Sequence, residues 1–211
     1  MRLYGYWRSS ASWRVRIGLA LKGMDVDCVA VNLRQGDQHS DDHRDINPLA
    51  QVPVLEWEEA GQTRRLTQSL AILQWLDAVE PSPSLVPQSP WERARAWQLS
   101  EIINAGTQPL QNLSTQRAVA AEGQTDGREW CRHFIDKGLT ALEALVAHET
   151  TPFLAGDVPT IADCCLIPQL YNARRFGCDM DQWPRLLLVE AHALSLPAFI
   201  DTHPERQPDA H

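Results

Sequence analysis

Apolar positions along this chain change their period once, near residue 82. Before that point short aromatic and β-branched runs alternate with helical stripes; beyond it only helical spacing persists. Leu3-Tyr4-Gly5-Tyr6-Trp7 predicts a strand. Ser9 to Gly23 predicts a helix, with Ile17, Ala20, Leu21 and Met24 on one stripe, Arg14, Arg16 and Lys22 mostly off it, and Gly23 as the C-terminal cap. Val26 to Val31 predicts a second strand, so the first three elements form a βαβ unit with parallel pairing and a right-handed crossover. Gln51 to Trp57 predicts a strand whose early Pro53 marks its start or a turn. A hairpin turn at Glu58 to Gly61 then leads to Thr63-Arg64-Arg65-Leu66. Leu70 to Leu76 predicts an amphipathic helix, with Ser69 as its cap.

Four prolines, Pro81, Pro83, Pro87 and Pro90, interrupt all periodicity and read as a linker. Trp91 to Ser114 predicts one helix kinked at Pro109. A second runs from about Gly127 to His148, with Trp130, Phe134, Leu142 and Leu145 as its core face. Thr160 and Asp163 match a capping box that opens a third, and Leu186 to Leu194 predicts another before an extended, proline-rich tail. The fold class is thus an α/β domain over residues 1–82 and an all-helical domain over 88–211.

Composition narrows the function. A hydrophobic content of 44% with 22% charged residues fits a globular protein, and a net charge of -8 argues against non-specific nucleic-acid binding. No run is long enough to span a membrane and no leader opens the chain, so a cytoplasmic location is expected. Five cysteines without a framework or C-x-x-C spacing read as reduced thiols, several of them buried. His39 and His43 stand four apart in the acidic stretch Asn32 to Asn47, but with no third ligand the segment reads as surface and no metal is expected.

The candidate chemistry lies in hydroxyls and arginines. Ser9, Ser10 and Ser12 crowd the junction of a strand and a helix, where backbone N–H groups and the dipole favour an anion and depress a thiol pKa. They read either as plain N-caps or as an anion or thiol site, and three serines exceed what one cap requires. Arg8 flanks the turn. Arg174 and Arg175 form a pair on a later helix, read either as a solvated face or as a grip on an acidic substrate between the domains.

The stretch SSASWRVRIGLALKG resembles the SSCSWRVRIAL signature of the zeta-class glutathione transferases, the maleylacetoacetate isomerase family. NPLAQVPVL, TQSLAILQWL, QPLQNLS, TIADCCLIPQLYNARRF and THPERQPD extend the resemblance over nearly the whole chain. Ala11 stands where the signature has cysteine. The resemblance implies a thioredoxin-like first domain with a cis Val52–Pro53 bond and a helical second domain. It assigns glutathione, as cofactor, to the signature residues Ser9, Ser10, Ala11, Ser12, Trp13 and Arg14. Gln51, Val52, Gln68 and Ser69 would hold the tripeptide, with Gln38, Gln108, Asn112, Leu113 and Ser114 lining the same region. Ser9, Ser10 and Arg175 take the catalytic roles, and Arg8 and Arg175 meet the acidic substrate. The implied reaction is addition of the glutathione sulfur to a cis alkene, rotation and loss of the sulfur. Because the reactive thiol is glutathione's own, Ala11 does not remove it. The implied setting is tyrosine and phenylalanine degradation by a homodimer. A maleylpyruvate isomerase is the neighbouring alternative, disfavoured because such relatives carry arginines where this chain has Leu113-Ser114. A non-catalytic binding module is the more distant one.

Overall fold

The computed structural model describes residues 1–123 and 126–210. Its chain divides into two units, residues 1–85 together with the segment from Leu196 onward, and residues 86–195. The tail expected to belong to the helical domain therefore packs with the α/β unit instead.

The first unit is built on β1 (Arg2–Gly5), α1 (Ser10–Leu21), β2 (Asp27–Ala30), α2 (Asp41–Ile46), β3 (Val54–Glu59), β4 (Gln62–Thr67) and α3 (Ser69–Val79). The strands form a sheet in the order β2-β1-β3-β4, with β1 and β2 parallel and the other pairs antiparallel. The parallel pair follows from the helical crossover between them, as the sequence predicts. Pro53 falls before β3 and not within it, since it has no N–H to give a ladder.

Helix α1 differs from its predicted stripe. Ser12 to Leu19 is buried all round, Arg14 and Arg16 included, whereas Ala20 is exposed. A helix covered on every side has no polar face to read. Gly18 permits this packing, because a Cβ there would lie 2.1 Å from Leu73 Cδ2 of α3. Lys22 closes the far end: its buried ammonium pairs with Asp77 at 2.7 Å and donates to the carbonyls of Glu80, at 2.6 Å, and Pro83. Three oxygen acceptors satisfy three N–H donors, which is what lets a lysine be buried.

The second unit contains α4 (Pro90–Asn104), α5 (Leu113–Ala121), α6 (Gly127–Val146), α7 (Ile161–Phe176) and α8 (Pro184–Ala193). The single kinked helix expected over Trp91 to Ser114 is broken into α4, a 3-10 turn at Gln108–Gln111, and α5. Two residues cause the break. The Thr107 hydroxyl donates to the Ile102 carbonyl at 2.9 Å, and Pro109 lacks the N–H that would continue the helix. The core face of α6 is Cys131, Ile135, Leu139, Leu142 and Val146; Trp130 and Phe134 are half-buried and Leu145 is exposed, contrary to the predicted stripe. Trp130 stays half out because its indole N–H donates to the Leu110 carbonyl at 3.0 Å.

Helix α7 is the core of this unit, buried from Ile161 to Leu170. Its capping box is present as the sequence predicts: Asp163 accepts from the Thr160 N–H at 2.8 Å, and the Thr160 hydroxyl accepts from the Ala162 N–H at 3.2 Å. Asp163 also accepts the Leu154 N–H at 2.9 Å, pinning the incoming loop. The remaining helix, α9 (Pro197–Asp201), and a 3-10 turn at Pro204–Arg206 replace the extended tail of the prediction.

Among the described residues no helix is long and apolar enough to cross a membrane, and no cluster of metal-ligating side chains occurs. Cys28 is exposed, and Cys131, Cys164, Cys165 and Cys178 are buried, none of them in a disulfide among the described residues.

Candidate active site

Sheet register determines which loops of the first unit meet. Tyr4 of β1 pairs with Val54 of β3, and Val54 pairs with Thr67 of β4. The end of β1, the start of β3 and the end of β4 therefore share one edge of the sheet. From that edge emerge the turn leading to Ser9, the Gln51-Val52-Pro53 segment and the Gln68-Ser69 junction. Two helix N-termini and one extended peptide converge there.

At the first N-terminus Ser9 is the N-cap of α1. Its Oγ accepts from the Ser12 N–H at 3.2 Å, and no bond donated by its hydroxyl occurs among the described residues. Accepting fixes the oxygen and leaves the proton for an incoming anion. Ser10 is buried, and Ala11, half-buried beside it, offers only its methyl group. Ser12 is fully buried, its hydroxyl accepting the Tyr6 N–H at 3.4 Å under the bare backbone of Gly5. Trp13 and Arg14 are likewise inside, at 2% and 0% exposure. Trp13 donates to the Thr202 hydroxyl at 3.0 Å and Arg14 to the Ser69 hydroxyl at 3.3 Å. Ser12, Trp13 and Arg14 of the signature stretch thus face the protein interior, and they support the turn from behind.

Ser69 is not the cap of α3 that its sequence position predicts. The cap position belongs to Gln68, which makes no capping bond and is held at φ 69°, a left-handed conformation unusual for a residue with a Cβ. The strain leaves the first-turn N–H groups of α3 without a side-chain acceptor, at an exposed residue with an amide to offer.

Between the two helices lies the Gln51 to Pro53 segment, with its Val52–Pro53 bond cis. The Gln51 carbonyl contacts His43 Nε2 at 3.0 Å and accepts from Asn47 Nδ2 at 2.9 Å. His43 is thus buried and structural, not the surface residue of the sequence reading. It and Asn47 hold the backbone of the candidate site, a support that the sequence reading missed. Their i, i+4 spacing across the end of α2, His43 on the helix and Asn47 at its C-cap just before Pro48, is the signal that could have found them. Val52 keeps both its N–H and its C=O unpaired among the described residues. Gln38, in the turn before α2, is buried with Nε2 against His39 Nε2 at 3.1 Å and an unsatisfied Oε1. Arg8 is half-buried, its guanidinium 5.1 Å above the Trp7 ring.

The other candidates lie in the second unit. Gln108 donates to Asn112 Oδ1 at 2.7 Å, and Asn112 is the N-cap of α5 with Leu113 and Ser114 exposed after it. Arg175 is half-buried near the end of α7, its Nη1 donating to Asn172 Oδ1 at 2.6 Å with the guanidinium over the Phe176 ring. Arg174 points elsewhere: both its terminal nitrogens meet the Glu190 carboxylate at 2.5 Å, which raises its pKa.

Residues 1–78 match the glutathione S-transferase N-terminal domain, and residues 128–188 match the C-terminal domain. The mouse (Mus musculus) maleylacetoacetate isomerase is 42% identical over 98% of this chain and 94% of its own length. The crystal structure of maleylacetoacetate isomerase from Anaeromyxobacter dehalogenans, with glutathione bound in the active site, shares 50% identity. It covers 100% of this chain and 97% of its own at a TM-score of 0.92. A bacterial zeta-class maleylpyruvate isomerase superposes with a TM-score of 0.94 at 35% identity, covering 100% of both chains. The chain belongs to the glutathione S-transferase family, and within it to the zeta class of the maleylacetoacetate isomerases. Its sheet unit is the thioredoxin-like domain of that fold and its second unit the helical one.

Proposed function

We propose that the protein is a glutathione-dependent cis–trans isomerase that converts maleylacetoacetate to fumarylacetoacetate. One observation carries the reading: a Val52 backbone unpaired among the described residues lies between two helix N-termini, one of which presents the Ser9 hydroxyl with its proton uncommitted among those same residues. That set fits glutathione. Val52 can pair with the backbone of an extended tripeptide, in the manner of strand addition. Gln68 and Ser69, at the dipole end of α3, suit the γ-glutamyl carboxylate, with Gln51 beside them. Ser9 and Ser10 suit the sulfur.

Bound glutathione supplies a thiolate whose reversible addition turns a conjugated double bond into a single one. The chain's own task is to favour that thiolate and to orient the acid. Ser9 donates its hydroxyl proton toward the sulfur, and the N-terminus of α1 adds a positive potential. Arg175, already levelled by Asn172 and Phe176, presents a planar fork to a substrate carboxylate. Arg8 is the second guanidinium in this reading, near the turn. Gln38, Gln108 and Asn112 are amides assigned to the same ligands by the family resemblance.

Maleylpyruvate is the second reading, supported by the likeness to the zeta-class maleylpyruvate isomerase. Leu113 and Ser114 offer no guanidinium at the start of α5, which favours maleylacetoacetate. The test is an isomerisation assay on both maleyl substrates with and without glutathione. We expect turnover only with glutathione, and faster on maleylacetoacetate; faster turnover of maleylpyruvate would reverse the assignment, and none on either would remove it. The same reading places the enzyme in tyrosine and phenylalanine degradation, in the cytoplasm, as a homodimer. Sedimentation at micromolar concentration should show twice the mass of one chain; a single-chain species would contradict the dimer.

A further inference from the structure

We propose that the C-terminal segment from Thr202 to Asp209 is a strap that sets the position of Ser9, with Asp209 as a positioning residue. The proposal rests on the role given to Ser9 above. Ser9 is held in a tight turn, its N–H donating to the Tyr6 carbonyl at 2.9 Å, with Trp7 and Arg8 between them. In a turn closed this way the N–H and C=O of the second residue point outward and need partners from elsewhere.

At Trp7 both groups are held from outside. The N–H donates to Asp209 Oδ2 at 3.0 Å, across 202 residues of sequence, and the C=O accepts from Arg16 Nη2 at 2.8 Å. Arg16 is itself tied to the strap, its Nε donating to the Thr202 carbonyl at 3.4 Å. The Thr202 hydroxyl in turn accepts the indole N–H of Trp13, a core residue of α1. The strap is therefore anchored on the helix that Ser9 caps and pulls on the turn that Ser9 ends.

Local sequence does not fix this turn: it contains neither glycine nor proline, the residues that preset turn geometry. Without Asp209 the peptide carrying the Trp7 N–H keeps only the bond from the Ser9 N–H to the Tyr6 carbonyl, so its rotation toward water draws Ser9 with it. The bond from the Ser12 N–H to Ser9 Oγ aims the hydroxyl proton, so a small rotation there changes what the hydroxyl can reach.

The test is a titration of glutathione bound to the full chain, followed by ultraviolet thiolate absorbance, for the wild type, S9A, D209A and D209N. S9A and D209A should both lose thiolate at neutral pH, D209A by roughly threefold or more. D209N keeps an oxygen acceptor for the Trp7 N–H and should stay near wild type. A D209A protein with wild-type thiolate while S9A loses it would overturn the strap and leave the Ser9 reading intact. Wild-type thiolate in S9A would overturn the Ser9 reading and the strap with it. Should D209A fail to fold, amide exchange decides the matter without a variant: the Trp7 N–H should be protected in the wild type, and rapid exchange there would overturn the proposal.

Discussion

Arg14 Nη1 donates to Ser69 Oγ at 3.3 Å, so a guanidinium buried in α1 touches the first residue of α3. The two helix N-termini proposed to hold glutathione are thereby linked beneath the surface. A hydrogen bond to a charged group contributes about 1.5–3 kcal/mol. Arg14→Met should lower stability by at least that amount, and the combination with Ser69→Ala should show a coupling of about 1–2 kcal/mol in a double-mutant cycle. Urea unfolding of the wild type and the three variants measures it. Strictly additive losses would mean the two residues act independently.

That link also marks where sequence reading stops. The strands, the βαβ order, the linker and the Thr160–Asp163 capping box were legible because each rests on local pattern: period, turn residues, reciprocal caps. Arg14 was not. A charged residue off the apolar stripe reads as solvent-facing, and only the all-round burial of α1 overturns that. Ser69 read as a cap from its position before an apolar run, but Gln68 takes the cap at a positive φ that composition does not announce. The break between α4 and α5 escaped because Pro109 was read as a kink, while the Thr107 side chain had already competed for the helix. His43, Asn47 and Asp209 support the site through contacts to backbone groups, which leave almost no trace in residue type.

Asp163 gives a pH signature. Full burial pushes its pKa up to about 6, against the lowering effect of the bonds from Leu154 and Thr160. The folded state therefore binds this proton more tightly than the unfolded chain does. Its contribution to stability is full below the ordinary carboxylate range near pH 4 and is lost as pH rises through about 6. The change amounts to about 3 kcal/mol. Asp163→Asn does not titrate, so the stability of the wild type relative to this variant should fall as pH rises from about 4 to 7. Denaturant unfolding across that range measures the difference; a difference that is flat or grows would contradict the assignment.

Arg174 and Arg175 are adjacent but differently employed, one paired with Glu190 and the other set over Phe176. Removing a charge-assisted contact to a substrate carboxylate costs about 2–4 kcal/mol in a partly desolvated site. Arg175→Ala should raise KM for the maleyl substrate roughly 30-fold or more, while conjugation of an uncharged halide changes little. Arg174→Ala should leave both KM values alone and lower the melting temperature, since it strands the largely buried Glu190 carboxylate. Steady-state kinetics on both substrates separates the cases. Equal losses on charged and uncharged substrates would make Arg175 structural.

The central claim is that the Ser9 hydroxyl, fixed by the Ser12 N–H and donating to no other described residue, favours the thiolate on which isomerisation depends. The direct measurement is kcat of Ser9→Ala for maleylacetoacetate at saturating glutathione, with the glutathione affinity taken alongside. We expect kcat to fall by roughly 100-fold or more with a much smaller change in affinity. Wild-type turnover in the alanine variant would contradict the account and pass the role to Ser10 or to the backbone of α1.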